Sequence, residues 1–384
     1  MNILFLCSSL EPGRDGVGDY TRRLAIALQN IGLCVKAVAL NDRTLAKESP
    51  VREDIQTTFE GNLEVWRFSS QKSWKRRIAC LQQLITQFKP DWLSLQFVPY
   101  GYHDKGLPFL LPSRLGALKG SFQWHIMFHE LAVGLDGHAS ARQSVIQVFQ
   151  KLIIKALIRE LSPNSINSHA ALYIQTLLTL GYATASPLAL FGSIENQVKK
   201  SGLDIISNFQ PNLDIGKNRE RYHIAIVFGA VYPNWNPSEF ILKWKKALDK
   251  TNKNAMIVFV GRGLNSSHSS LLEDISRRVI VIQAGEQDSQ SIAALLLDAD
   301  FGLATTPLSL IEKSSAAATY RDFGLPVVVI REDFEQLPPM VPPPLLASKI
   351  VMNEIVQLHR QSVEPNAMLK HVRDTFLANL QSRA

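Results

Sequence analysis

The sequence predicts an α/β chain made of two doubly wound, Rossmann-like parallel-sheet domains facing across a cleft, and three observations carry that expectation. Short β-rich apolar runs alternate with longer amphipathic segments from the first residue onward, the pattern of parallel strands joined by crossover helices. The series starts afresh after residue 221. At 384 residues the chain is also longer than one hydrophobic core usually organises. Open parallel sheets present ligand crevices at the carboxyl ends of their strands, so the cleft between them is the expected site.

In the first half the strands read as Ile3–Cys7, Cys34–Leu40, Leu63–Arg67, Trp92–Phe97 and His125–Phe128. Between the first two, Asp19–Ile31 places Leu24, Leu28 and Ile31 on one helical face, and Gly32 stands where a helix ends in a left-handed residue. The second series reads Ile224–Phe228, Ala255–Val260, Val279–Ile282, Phe301–Thr305 and Pro326–Ile330. Its opening helix is signalled by Asn236 as cap, Pro237 at the first helical position and Glu239 three residues after the cap. The polar stretch Asn196–Arg221 lacks strong periodicity and reads as the linker. Domains are therefore expected over 1–205 and 206–365, with a last helix over 366–384. In that helix Leu369, Val372, Phe376 and Leu380 recur at helical spacing and must pack on something, the first domain being one candidate.

Composition is less selective. No apolar run reaches the roughly 20 residues that span a bilayer, and Ile3–Cys7 has neither a basic leader nor a small-residue cleavage site, so a cytoplasmic protein is expected. Cys7, Cys34 and Cys80 lack metal spacing and read as buried free thiols. A formal charge of +7 suits anionic nucleotides, acidic lipid surfaces or nucleic acid without selecting among them. Basic residues do not alternate with exposed aromatics, so nucleic acid is not an expected partner. Ser73–Phe88 opens with Trp74, Lys75, Arg76 and Arg77, and reads either as ordinary surface charge or as peripheral contact with the inner membrane face.

Chemistry gathers at the predicted carboxyl ends of strands. After the first strand, Gly13, Gly16 and Gly18 lead into a helix, and Gly16-Val17-Gly18 offers N–H groups and a helix start to a phosphate. Asp19 follows in place of a third glycine two residues on, so this is not the dinucleotide fingerprint, and a plain strand-to-helix turn is the other reading. His129 follows the fifth strand, where a neutral imidazole either hydrogen-bonds a sugar hydroxyl or is satisfied within the wall. His125, inside that strand, reads as structural. The loop Gln96–Gly106 collects Gln96, Tyr100 and His103, a set that suits a sugar or lipid-linked acceptor as readily as an ordinary surface loop. In the second half Glu312-Lys313-Ser314-Ser315 stands at a helix start, where an ammonium, hydroxyls and N–H groups can bind a diphosphate, unless Lys313 is merely solvated. Arg262, in Gly261-Arg262-Gly263, is a second cation for the same task. No Asp-x-Asp pair follows a strand at the cleft, so no metal is expected.

Gly16-Val17-Gly18-Asp19-Tyr20, followed by Leu24-Ala25 and Leu28, resembles the amino-terminal motif of retaining glycosyltransferases of family four, which have the GT-B fold. Phe128-His129-Glu130, Ile166-Asn167-Ser168, Val227-Phe228-Gly229, Val258-Phe259-Val260-Gly261 and Gly324-Leu325-Pro326-Val327-Val328 resemble further segments of that family, in order, across most of the chain. The resemblance implies retaining transfer of a hexosyl-type sugar from a nucleotide sugar held by the second domain. The acceptor, presented by the first, would be a glycan, a lipid-linked or a small molecule. No cofactor is implied, because the nucleotide sugar is a substrate. His129 would contact the donor sugar, and Gly16, Val17, Gly18, Arg262, Ser314 and Ser315 would hold phosphate. Lys313 would neutralise the departing diphosphate, and Glu312 falls near the first of the family's two glutamates. Tyr20, Gln96, Tyr100 and His103 would lie on the acceptor side. Two departures stand out: the second glutamate's place, counted back from Gly324, falls on or beside Thr319, and the family's arginine and lysine are missing from Ala230–Asn236. They keep open a catalytically degenerate nucleotide- or glycan-binding partner subunit. A nucleotide-sugar epimerase on the same double fold is a rival with no residues of its own to support it.

Overall fold

A computed structural model describes residues 1–45, 51–58, 60–135, 140–195, 198, 200–232, 234–264, 268–332, 343–350 and 352–382. The chain divides into two compact units, Met1–Ala189 with Leu369–Ala384, and Leu190–Met368.

The first unit is built on strands β1 (Asn2–Cys7), β2 (Cys34–Asp42), β3 (Val51–Thr58), β4 (Gly61–Ser69), β5 (Trp92–Phe97), β6 (Gln123–Phe128), β7 (Ser165–Ser168) and β8 (Ala185–Pro187). Their order is β3-β4-β2-β1-β5-β6-β7-β8, parallel throughout except that β3 folds back antiparallel on β4. The five expected strands are present, most of them longer by a few residues, and β3, β7 and β8 are additions. Helices α1 (Gly16–Gln29), α2 (Trp74–Phe88), α3 (Pro99–Tyr102), α4 (Leu111–Gly116), α5 (Ala141–Leu161) and α6 (Ala171–Thr179) connect them. Beyond α1, Gly32 adopts φ +88°, the left-handed helix stop that its position predicts. Cys7 is buried as expected, but Cys34 is exposed because it begins β2 at the sheet's rim; all three thiols are free.

The second unit carries β9 (Tyr222–Ala230), β10 (Asn254–Gly263), β11 (Ile280–Gly285), β12 (Phe301–Ala304), β13 (Val327–Val329) and β14 (Leu345–Leu346), in the all-parallel order β11-β10-β9-β12-β13-β14. Helices α7 (Gly202–Phe209), α8 (Ser238–Leu248), α9 (Ser269–Ser276), α10 (Ser289–Asp298), α11 (Ser315–Asp322) and α12 (Met352–Ile355) accompany it. The stretch expected as a linker belongs to this unit, although Asn196 lies outside the described residues. Asp298 Oδ2 accepts from the N–H groups of Gly202 and Leu203 at 2.7 and 3.1 Å, and Ile206 and Ile215 are buried in the second core. The division accordingly falls after Ala189, ahead of residue 205. At α8 the cap shifts by one: Pro237 takes the cap position, while Asn236 Oδ1 still accepts from Ser238 N at 3.0 Å.

The chain's last helix, α13 (Ala367–Gln381), returns to the first unit. Its buried face is Leu369, Val372, Phe376 and Leu380. Phe376 stacks on Phe5 of β1 at 5.6 Å and meets His125 edge-on at 5.0 Å. Burial of each such side chain stabilises by roughly 1.5–3 kcal/mol, which holds the terminus against the sheet.

Both sheets reverse direction at one strand, β1 in the first (β2-β1-β5) and β9 in the second (β10-β9-β12). A crevice outside the carboxyl ends at these two places follows from the topology. In the second unit the mechanism of opening is visible. β12 pairs with β9 only at Phe301↔Ala225 and Gly302↔Ile226, and then the strands part. Tyr320 of α11 fills the gap: its hydroxyl accepts from Phe228 N at 2.7 Å and donates to Ile226 O at 3.1 Å, satisfying backbone groups that β12 no longer reaches. Gly302 is required beside it, because a Cβ there would lie 2.3 Å from the Tyr320 ring.

Candidate functional site

In the first unit the structure brings His129, Gln96 and Tyr20 together. Gln96, on β5, is held under the residue that follows β6: its Oε1 accepts from His129 Nε2 at 2.9 Å. The Tyr20 ring, presented by α1, meets the His129 ring edge-on with centroids 5.0 Å apart, and the His169 ring lies 5.4 Å away on another side. From Gln96 a buried chain of hydrogen bonds continues across the sheet. Gln96 Nε2 donates to Ser94 Oγ at 2.8 Å, and Ser94 Oγ meets His125 Nδ1 at 2.8 Å. His125 Nε2 meets Asn167 Oδ1 at 3.1 Å, and Asn167 Nδ2 donates to Ser186 O and Oγ, both at 2.9 Å.

These contacts have one consistent direction. Asn167 must donate to the Ser186 carbonyl, so its oxygen accepts from His125; His125 Nδ1 then accepts from Ser94, Ser94 accepts from the Gln96 amide, and the Gln96 oxygen accepts from His129. Both histidines thereby carry a proton on Nε2, as the neutral Nε2–H ring does. Burial drives the same way: it lowers His125 to about 4 against the pull of Asn167, and holds His129 well below the usual histidine range, with His169 and His125 adding to the effect. His129 thus stands at the carboxyl edge as a fixed neutral ring, and Gln96 is a positioning residue whose amide is engaged at both ends. His125 is structural, as its place inside the strand indicates. Ser94, Asn167 and Ser186 were not singled out from the sequence as partners of this chain; a polar residue inside a strand run is the signal that finds Ser94 and Asn167.

The glycine turn is held by its own carboxylates. Asp15 caps α1, its Oδ1 accepting from Val17 N at 2.9 Å and Gly18 N at 3.1 Å. Asp19 accepts from Gly13 N at 3.1 Å and pairs with Arg22, while Glu11 pairs with Arg67, which also binds Asp42 at 2.7 Å. Burial raises the Asp15 carboxyl above its ordinary range, against the two N–H bonds that favour its charge. Two N–H groups expected to face a phosphate therefore donate to Asp15 instead, and an anion here meets carboxylates. Gly18 is glycine for packing, since a Cβ would lie 2.5 Å from Ser9 O, whereas a Cβ on Gly16 meets nothing. Asp15, directly before Gly16, is the cap signal that identifies this turn in the sequence.

Of the other acceptor-side residues, Tyr100 is exposed on α3 and its carbonyl accepts from Arg43 at 3.1 Å. His103 closes α3 and organises its own loop, its Nδ1 accepting from Lys105 N at 3.2 Å. The hydrogen-bond and ring partners of the His129 side chain among the described residues are Gln96, Tyr20 and His169, not these two. In α2, Arg77 turns inward, donating to Leu40 O and Asn41 Oδ1 at 2.8 and 2.7 Å, and burial lowers it to about 10. Trp74 lies under the guanidinium groups of Arg77 and Arg114, at 3.9 and 4.9 Å, so its ring is packed within the unit.

In the second unit the crevice between β9 and β12 is lined from both sides. Thr305 Oγ1 donates to Ala230 O at 2.8 Å and accepts from Tyr232 N at 3.3 Å, bridging the parted strands. Thr306 Oγ1 donates to Ser314 Oγ at 3.2 Å, and Ser314 caps α11, accepting from Ala317 N at 3.3 Å. Glu312 and Lys313, both half-buried, end the short 3₁₀ turn Leu308–Lys313 that leads to this cap, and Ser315 is the exposed first residue of the helix. The helix start that the sequence predicts at Lys313-Ser314-Ser315 is thus at the sheet's switch point. Arg262 is separated from it by β9 and pairs with Glu286, beyond β11, at 3.1 Å. Thr319 occupies the place of the missing glutamate without exposure: its hydroxyl donates to Ser315 O at 2.7 Å and accepts from Ser193 N at 3.1 Å. Gly192 packs closely on it, since a Cβ there would lie 2.8 Å from Thr319 Cα. Among the described residues no group of three or more metal-ligating side chains is gathered, and no helix is long and apolar enough to cross a membrane.

No protein-family model matches the chain, and curated protein sequences give no significant match. Solved structures match over its whole length. An α,α-trehalose-phosphate synthase (UDP-forming) from Burkholderia xenovorans, in complex with glucose-6-phosphate, has a TM-score of 0.55 at 11% identity, covering 99% of this chain and 100% of that one. Anabaena HepE in complex with UDP and glucose gives 0.55 at 15% identity with 100% of both chains covered. The UDP-GlcNAc 2-epimerase from Methanocaldococcus jannaschii gives 0.53 at 9% identity, again over 100% of both. Likeness at such identities shows the fold: the chain has the double-Rossmann GT-B fold.

Proposed function

We propose that the protein is a glycosyltransferase that binds a nucleotide sugar at the second unit's switch point and transfers its sugar, with retention and without a metal, to an acceptor presented by the first unit. The observation that carries this reading is the capped start of α11 at the parted strands, where Lys313, Ser314, Ser315 and Thr306 offer an ammonium, hydroxyls and helix N–H groups to a diphosphate. As the glycosidic bond breaks, negative charge grows on the β-phosphate, and these fixed groups lower that barrier. His129, neutral and held by Gln96, orients a sugar hydroxyl. The glycine turn, lined by Asp15, Asp19 and Glu11, suits acceptor hydroxyls better than phosphate. Two similar structures, HepE with UDP and glucose and the trehalose-phosphate synthase with glucose-6-phosphate, support ligands of this chemistry.

A binding protein without turnover is the second reading, and the filled position at Thr319 favours it. The test is incubation of the purified chain with a panel of nucleotide sugars, with and without chelator, while free nucleotide is followed. Slow release that Lys313→Ala abolishes supports transfer; tight binding with no release from any donor supports the second reading. Epimerised donor in place of free nucleotide would contradict both.

A further inference from the structure

Helix α5 is apolar on two opposite faces. One, made of Ile153, Ile154, Leu157, Ile158 and Leu161, is buried in the first unit's core. The other, at the i, i+3, i+4, i+7 positions Val145, Val148, Phe149 and Leu152, stands 58, 57, 40 and 53% exposed. At 100° per residue the two stripes point about 160° apart, so core packing does not account for the second. The outer stripe also continues beyond its own helix. Phe109 and Leu110, in the segment leading into α4, are 54 and 59% exposed, and the Phe109 ring meets Phe149 edge-on at 5.8 Å. Six such side chains present on the order of 600 Å² of contiguous surface, at the upper end of what a soluble monomer leaves uncovered.

Charge selects the occupant. Every ionisable residue of α5 before Glu160 is basic: Arg142 flanks the stripe on one side, and Lys151, Lys155 and Arg159 follow the other. On the far side of α4, α2 adds exposed Lys75 and Arg76. Glu160 pairs with Arg159 at 3.0 Å at the helix's end, and the remaining ionisable residues along the stripe are cations, a rim that fits a surface itself apolar beneath and anionic above. We propose that this face of the first unit docks on an anionic lipid bilayer, with Phe149, Leu152, Val148 and Phe109 entering the headgroup boundary and the flanking cations meeting lipid phosphates. The surface lies on α5 and α4 and not at Trp74, whose ring is packed under two arginines. It stands independently of the glycosyl-transfer reading, since it uses none of those residues.

The test is flotation of the full chain with vesicles of phosphatidylcholine alone and of phosphatidylcholine with about one-third phosphatidylglycerol, near physiological salt. Phe149→Ser/Leu152→Ser and Lys151→Glu/Lys155→Glu, all at accessible positions, are compared after circular dichroism and thermal melting establish that they fold. The expected result is flotation with the anionic vesicles only, reduced at least about fivefold in each variant. No flotation, or flotation that both variants retain, overturns the proposal. So does a concentration-dependent dimer, by light scattering, that Phe149→Ser/Leu152→Ser abolishes while vesicle binding is absent; that outcome assigns the stripe to a second copy of the chain.

Discussion

Mild acid should weaken the first unit through His125, and the size of the effect follows from its surroundings. His125 is fully buried between Ser94 and Asn167, and burial lowers it to about 4 from an ordinary value near 6.5. The unfolded chain then takes up a proton below pH ~6.5 that the folded chain refuses until about 4. Stability is fully present above the unfolded value, falls as pH drops through that window and levels off below it. At pH 5 the linkage amounts to roughly 2 kcal/mol for this one group, and His129, shifted in the same direction, adds to it. Urea unfolding at pH 7.5 and 5, followed by hydrogen exchange in β5 and β6 peptides, reads the first unit apart from the second. His125→Leu is the comparison. It removes the acceptor of the Ser94 hydroxyl and the nearer donor to Asn167 Oδ1, leaving these groups only their bonds to Gln96 and Asn379, and so lowers stability at pH 7.5 by about 1–3 kcal/mol. Its loss between pH 7.5 and 5 should nevertheless be smaller than the wild type's by roughly 2 kcal/mol. Equal pH dependence in the two proteins would refute the reasoning, because the buried neutral imidazole would then not be the source.

Three further outcomes are expected. Tyr320→Phe strands Phe228 N and Ile226 O at the opening of the second sheet, so the second unit should lose about 1–3 kcal/mol of unfolding free energy, read from urea unfolding. Asp15→Ala removes the α1 cap and should cost about 1 kcal/mol, whereas Asp15→Asn keeps an accepting oxygen and should cost no more than a few tenths, both read as shifts in Tm. Gln96→Leu removes the acceptor that fixes His129 Nε2–H and should lower donor turnover about tenfold or more, with nucleotide Kd unchanged by titration calorimetry.

The fold was legible because most of its strands are buried on both faces and therefore read as largely apolar runs; β1, β10 and β13 are of this kind. The strands that escaped reading lack that signature for physical reasons. β7 is Ser165-Ile166-Asn167-Ser168, wholly buried yet mostly polar: Ile166 joins the apolar core, while Asn167 serves the hydrogen-bond chain and Ser168 Oγ donates to Phe128 O. β3 is an edge strand whose Glu53 and Asp54 suit an open rim. α7 has a local cap in Ser201, but its other anchor is remote in sequence: Asp298 accepts from Gly202 N and Leu203 N, 96 and 95 residues away. At the candidate sites, the helix start at Ser314 could be read from local chemistry, since capping involves neighbours. The partnership of His129 with Gln96, and the role of Tyr320 between β9 and β12, depend on strand order, which spacing does not contain. The glycine turn shows the opposite risk: its glycines suggest phosphate, yet Asp15 among them takes the N–H groups of Val17 and Gly18.

The central claim, that a nucleotide diphosphate binds where β9 and β12 part, is tested most directly by hydrogen–deuterium exchange with and without a uridine diphosphate sugar. The account predicts slowed exchange in peptides spanning Thr305–Ala317 and Phe228–Tyr232, lost in Lys313→Ala. Protection confined to the Asp15–Gly18 turn, or to neither unit's carboxyl edge, would contradict it.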